Sequence, residues 1–249
     1  MDTTVEGLSI LAEEPRRIDG IPEWFNKSRQ AGWERFQQLA MPSRKDEEWR
    51  FARLRHLNFK NVTLPNSSKE QGSRGTTGLD KCSARIAFAN DCLVERESNL
   101  PGEVICLPLL EAVEEHSELV EQYFMKAEAR LGSAKFAALH QAHVSSGVFV
   151  YVPDGVEVED PIDVSHWITK DHVVTFPHTL VVTGKNARVS VVDYFQSDAS
   201  AHGSWTIPVN ELVAGPDSQL TYLALQDLSD ESRICLLYTS DAADEPSSV

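Results

Sequence analysis

Positive charge is what this sequence has least to spare: 23 Lys and Arg stand against 38 Asp and Glu, a formal charge of −15 over 249 residues. A chain this acidic repels a phosphate backbone, because nucleic-acid binding needs clustered Lys and Arg that release counterions. Nucleic acid is therefore excluded as the expected partner. Apolar runs are all far shorter than the ~20 residues that cross a bilayer as a helix. The opening MDTTVEGLSILAEEP also lacks the basic and apolar stretches of a secretory signal. A cytoplasmic chain without a membrane partner is the expectation. Cysteine is scarce too, and Cys82, Cys92, Cys106 and Cys235 stand singly, with no C-x-x-C pair and no His at ligand spacing. No metal site is written in them, and they read as reduced thiols, Cys106 within VICLPLL as a core residue.

What is present is a repeat. With 41% hydrophobic and 24% charged residues the chain has enough apolar material for one large domain or two smaller ones. Gly147 to Gln226 uses that material three times over: GVFVYVPDGVEVEDPIDVSHWI, then PHTLVVTGKNARVSVVDYF, then NELVAGPDSQLTYLALQ. Each copy is strand, turn, strand. Aligning the turns on Gly155, Gly184 and Gly215 predicts a near-constant period of about 30 residues, the mark of stacked units that cannot bury a face alone. In Val156-Glu157-Val158 and Val189-Ser190-Val191 the valines face one way and the polar residues the other. The period fits antiparallel hairpins or a β-helix. Unequal turns joined to one repeated strand pattern favour the β-helix, with Val156, Val158, Val189, Val191, Leu220 and Tyr222 on related strands.

Ahead of the repeat the pattern is mainly helical. Trp24, Phe25, Ser28, Gly32, Trp33, Phe36 and Leu39 predict an amphipathic helix over Pro22–Leu39, with Pro22 in its first turn. Ser43 is placed to cap a second helix from Arg44, with Asp46 and Glu47 near its positive end and Trp49 and Leu54 packed inward. Residues 60–81 read as a polar surface loop, and ARIAFANDCLVE as a hairpin turning at Asn90-Asp91 within a stretch of short strands near 84–106. Leu109–His143 returns to helical spacing with a break at Gly132. His140 and His143 sit three apart, but no carboxylate or Cys completes a ligand set, so a helix-surface pair is expected.

Four segments taken in order carry a resemblance: RKDEEWRFARL after Met41-Pro42, then KFAALHQAHVSSGVFVYVPDGVEVEDPIDV, then PHTLVVTGKNARVSVVDYF, then GPDSQLTYLALQ. Together they resemble the SufB/SufD family of iron–sulfur cluster assembly proteins. Pro42, Lys45, Glu47 or Glu48, Trp49 and Arg50 look more like its SufD branch than its SufB branch. The resemblance implies an α+β, mainly β fold: an N-terminal helical domain over 1–143, then the first coils of a right-handed parallel β-helix over 144–234. It also implies a non-catalytic scaffold subunit that pairs with SufB through the β-helix and with the SufC ATPase through a C-terminal helical domain. The cluster is then assembled by the complex. No catalytic, cofactor-binding or metal-ligating residue is carried over to this chain, and no cofactor is expected on it.

The family pattern stops near Asp230. CLLYTSDAADE resembles translated adapter sequence, and the tail over 235–249 is too polar to pack, so a truncated chain with a disordered end is expected. Two other readings remain: a non-functional fragment, and a carbohydrate-active β-helix enzyme, since fold does not fix function. The enzyme needs paired carboxylates. Only Glu157, Asp160 and Asp163 crowd together, and they alternate with apolar residues as the wet face of a strand does.

Overall fold

A computed structural model describes residues 10–45, 50, 59–65, 78–126 and 133–242. Helix α1 spans Glu23–Gln38, directly after Pro22. Strands β1 (Ala84–Ala89), β2 (Cys92–Ser98) and β3 (Ile105–Pro108) follow, then helices α2 (Leu109–Glu115), α3 (Ser117–Tyr123) and α4 (Ala134–His143). The remainder is β: β4 (Ser146–Val152), β5 (Ile162–Ile168), β6 (Val174–Thr175), β7 (Pro177–Thr183), β8 (Arg188–Ser197), β9 (Trp205–Thr206), β10 (Val209–Ala214), β11 (Gln219–Asp227), β12 (Arg233–Ile234) and β13 (Leu237–Ala242). Ser43 Oγ accepts the Lys45 N–H at 3.2 Å, but the expected helix beyond it and the inward packing of Trp49 and Leu54 lie outside the described residues. So do most of the polar loop, Gly132 and residues 243–249.

The strands form three ladders, β2-β1-β5-β8-β11, β3-β4-β7-β10-β13 and β6-β9-β12, parallel throughout except for the β1/β2 and β3/β4 pairs at one end. This is a β-solenoid of about three turns, one coil stacked on the next, as the repeat predicts. The period is cleaner than the glycine alignment suggests. Gly155, Asn186 and Asp217 all adopt the left-handed conformation, with φ of 71°, 54° and 55°, and they are the equivalent turn positions, 31 residues apart. Gly, Asn and Asp are the residues that tolerate that conformation, so the shared feature is a backbone angle and not a glycine. The step shortens to 29 between Ile162 and Val191, because the first coil carries two extra residues before Pro161.

Alternation does the rest. Ile86, Val148, Val150, Ile162, Val164, Val189 and Val191 fill the solenoid interior, and Val189–Leu220 and Val191–Tyr222 pair in register. The opposite face of β4 and β7, with Phe149, Leu180 and Val182, packs on α2, α3 and Phe25 of α1. The hairpin turns where predicted, with Asn90 at φ 48° and Asp91 at φ 63°, the pair of left-handed residues a tight hairpin needs.

Strand β13 departs from the expected disorder after residue 235. Leu237–Ala242 pairs in parallel with β10 and Leu237 is fully buried, because a ladder satisfies backbone groups whatever the polarity of the side chains and one apolar anchor suffices to seat it.

Helix α1 ends against α4. The Lys135 ammonium of α4 donates to the carbonyls of Phe36 and Leu39, at 2.5 and 2.8 Å, and sits 3.8 Å above the Phe36 ring. It thereby satisfies carbonyls that the end of a helix leaves without partners. Lys135→Met keeps the stem and removes the donors, and is expected to lower stability by about 2 kcal/mol. An unchanged urea midpoint would show that water serves those carbonyls equally well.

Candidate functional site

Each of the three carboxylates that the enzyme reading drew on sits against a cation. Asp163 points out of β5 but is 1% exposed, covered by residues 78–85: it accepts from Arg85 Nε at 3.0 Å and from the Leu79 N–H at 2.9 Å. Its expected solvation is thus corrected, for Arg85, its register partner on the neighbouring strand β1, lies over it. Asp160 meets Lys81 at 2.9 Å and Glu157 meets Arg188 at 3.2 Å, each exposed enough to contribute little. Each carboxylate thus has its own cation.

Histidine chemistry is concentrated where the sequence places it on the surface. His140 and His143 are 0% and 2% exposed, not a helix-surface pair. Helix α4 is so short and so deeply packed that its polar residues cannot all reach water. His140 Nδ1 donates to the Ile207 carbonyl at 2.7 Å, which leaves Nε2 as acceptor for His178 Nδ1–H at 3.1 Å. His178 Nε2 then faces Glu211 Oε2 at 3.0 Å. The same oxygen accepts the Met125 N–H at 2.7 Å. Burial, followed by repulsion from His178, holds His140 well below the usual imidazole range, so it stays neutral. The chain α4–β7–β10 ties the end of α3 to the solenoid. Its chemistry is that of a pin: it offers no nucleophile.

A second polar group lies inside the solenoid. Asp193 of β8 accepts from the Thr179 and Tyr222 hydroxyls, both at 2.7 Å, and faces His166 Nε2 at 3.4 Å. Burial pushes this carboxyl up to about 6 and the Tyr222 phenol well above its ordinary range. His166 is stacked between Phe88 and Phe195, in the register Phe88–His166–Phe195 across β1, β5 and β8. The sequence showed these as polar interruptions of a valine pattern. It gave no signal that they meet.

Among the described residues, no group of three or more His, Cys, Asp or Glu converges as a metal site requires. All four thiols are free, and burial raises each of them, Cys106 and Cys235 to about 12. Thiols so held are poor nucleophiles. No described helix is long and apolar enough to cross a membrane.

The remaining candidate is a surface. Strands β11 and β13 end their ladders, and β11 leaves Leu223 and Leu225 49% and 36% exposed. Its run Gln219–Gln226 contains no Lys and no Pro, the residues that usually blunt such an edge. An unpaired, flat, apolar-sided strand is a template for another strand.

Comparison with known proteins addresses the whole of this architecture. Residues 13–164 match the family model described as SufBD protein N-terminal region, and residues 166–239 match that of the SUF system FeS cluster assembly SufBD core domain. The iron–sulfur cluster assembly protein SufD of Bacillus subtilis (strain 168) is 29% identical over 221 residues, covering 84% of this chain and 49% of that protein. An iron–sulfur cluster assembly SufBD family protein of Staphylococcus aureus (strain USA300) is 24% identical over 238 residues, 87% of this chain and 50% of that protein. The chain thus spans about half the length of the curated relatives it matches. With its helical first half, its solenoid and both family domains in order, it belongs to the SufB/SufD family of iron–sulfur cluster assembly proteins.

Proposed function

We propose that this chain acts as a non-catalytic, SufD-like scaffold subunit in the cytoplasm, pairing through its solenoid with a SufB-like subunit in a complex that also contains a SufC-like ATPase. The cluster is then cargo of the complex, and this chain holds no cofactor of its own. The observation that carries the reading is the stacked parallel β-solenoid, over which the SufBD N-terminal region and the SufBD core domain match in order, while the buried polar groups serve as pins. Ion pairing of Glu157, Asp160 and Asp163 with separate cations favours this reading over the carbohydrate-active alternative.

Area sets the strength of pairing. A stable interface needs about 800 Å² from each side, and residues 1–249 carry about half the length of the relatives. Residues 1–249 are therefore expected to capture a tagged SufB-like subunit weakly and to fail to retain a SufC-like ATPase, the partner that the family resemblance assigns to a C-terminal helical domain. A longer chain covering the full span of the relatives is expected to retain both. Co-expression and pull-down measure this. Stoichiometric retention of the ATPase by residues 1–249 would contradict that assignment, and failure of the longer chain to hold either subunit would sink the scaffold reading.

A further inference from the structure

A cavity of about 1040 Å³ lies between the N-terminal arm, α1, the β1–β2 turn and the end of α4, away from the solenoid edge. Its volume is at the upper end of the roughly 300–1,000 Å³ typical of small-molecule sites. The arm is held open along α1 by two contacts. Asn26 clamps Ile18 through both backbone groups, at 3.0 and 2.9 Å, and Arg29 donates from Nη1 to the Arg16 carbonyl at 2.7 Å. Ile18, Leu64, Pro65 and Leu110 make the apolar part of the wall.

The charged groups on that wall other than Arg29 each have a cation, a carboxylate or hydrogen-bond donors of their own. Arg16 meets Glu13 at 3.5 Å and Arg17 meets Glu23 at 2.6 Å. Asp91 accepts from Ser146 Oγ at 2.6 Å and the Phe176 N–H at 2.9 Å. Arg29 is 5% exposed, its Nε has no hydrogen-bond partner, and no carboxylate pairs with it among the described residues. Burial lowers it only to about 10, so it remains a cation at neutral pH. Beside it, His143 is 2% exposed and neither ring nitrogen completes a hydrogen bond, although the backbone of Glu13 approaches. Its ring is fixed by Phe176, stacked at 5.4 Å, and by the edge of Trp33 at 5.9 Å. A buried cation without a counter-charge and a fixed, unsatisfied imidazole next to it are both costly unless a ligand completes them.

We propose that this cavity binds a small organic anion, whose carboxylate or phosphate head is held by the Arg29 guanidinium and the His143 ring N–H and whose body lies against Ile18, Leu64, Pro65 and Leu110. A guanidinium presents parallel donors to such a head, and a neutral imidazole adds one more. The site is independent of partner pairing and would exist in the isolated chain.

The test uses the 249-residue chain with inorganic phosphate and phenyl phosphate as probes, at constant ionic strength against chloride. Phosphate at ten times its Kd is expected to raise Tm by about 3 °C or more, and to move the His143 ring resonances while those of the exposed His172 and His202 stay in place. Phenyl phosphate is expected to bind at least threefold more tightly. Arg29→Met should abolish the effect of both probes, and Arg29→Lys should keep part of it. A wild-type chain that responds to neither probe, or an Arg29→Met variant that responds equally, overturns the proposal. Equal affinity for the two probes overturns its organic part. Should Arg29→Met fail to fold, the His143 resonances of the wild-type chain decide alone: movement with phosphate supports the site and stillness overturns it.

Discussion

Gly147→Ala is expected to cost about 4 kcal/mol or more and to leave little soluble folded chain. Gly147 is the second residue of β4 and has φ of +121°, a conformation that residues with a side chain scarcely adopt. It pairs in register with His178 of β7, so closely that an added Cβ would lie 2.0 Å from the His178 carbonyl oxygen and 2.4 Å from its nitrogen. Those are backbone atoms of a central strand. They cannot yield, because β10 pairs with the other side of β7. The damage would also reach the buried His140–His178–Glu211 chain, since displacing His178 parts it from His140 and Glu211 and loosens α4 from the solenoid. Gly102→Ala is the control: nothing lies within 4 Å of its added Cβ, and the change is expected to stay within about 0.5 kcal/mol. Urea unfolding of both variants checks the claim. A Gly147→Ala midpoint equal to that of wild type would mean the first coil is not stacked as described.

His166→Phe is expected to remove much of the chain's sensitivity to acid. Burial holds the His166 ring down to about 3, against an ordinary value of about 6.5. A group whose folded value is depressed contributes stability that is present in full above its unfolded value and is lost as pH falls toward the folded one. For His166 the window therefore runs from about 6.5 down to about 3. Between pH 6.5 and 4.5 the wild-type chain should lose about 2 kcal/mol through this residue, because the unfolded ring is only half protonated at the upper end of that window. Phenylalanine extends the stack between Phe88 and Phe195, whose rings lie 5.2 and 5.3 Å away and nearly parallel. At pH 7 the variant should be within about 1 kcal/mol of wild type, as for a nearly volume-conserving swap. Other groups titrate nearby. Asp193 and Asp91, raised to about 6, favour the folded state in acid, and His143, lowered to about 4, opposes it. Asp91 and His143 are common to both chains, and Asp193 faces the replaced ring at 3.4 Å, so the difference between the two stability curves reports His166 together with its effect on Asp193. Parallel curves from pH 7 to 4.5 would show that the ring reaches water.

These two sites differ in what the amino-acid sequence discloses. Gly147 opens the repeat, and alternation at Val189-Ser190-Val191 places Val189 and Val191 inside before any coordinates are known, because pleating sends successive side chains to opposite faces. Asn90-Asp91 announces its turn for an equally local reason, and the amphipathic stripe of α1 announces its helix. The turn register was less plain. Glycine marks it only once, and Asn186 and Asp217 carry the same backbone angle in the later coils.

Polar residues were misread because their partners are distant. His140 meets Ile207 and His178, 67 and 38 residues away, and Asp193 meets Tyr222 only after one whole coil has closed. Nothing local distinguishes Arg29 from the exposed cations of α1, except that it falls on the stripe of Phe25, Gly32 and Phe36. The low apolar content of 237–242 likewise hid a strand that the ladder seats through its backbone. By itself the sequence determined the solenoid, its inward face and its family, since those follow from periodicities of a few residues and from motifs in order. Tertiary structure alone decided which histidines and carboxylates are buried and which cation is left unpaired, because burial and pairing depend on segments that only the stacking of coils brings together.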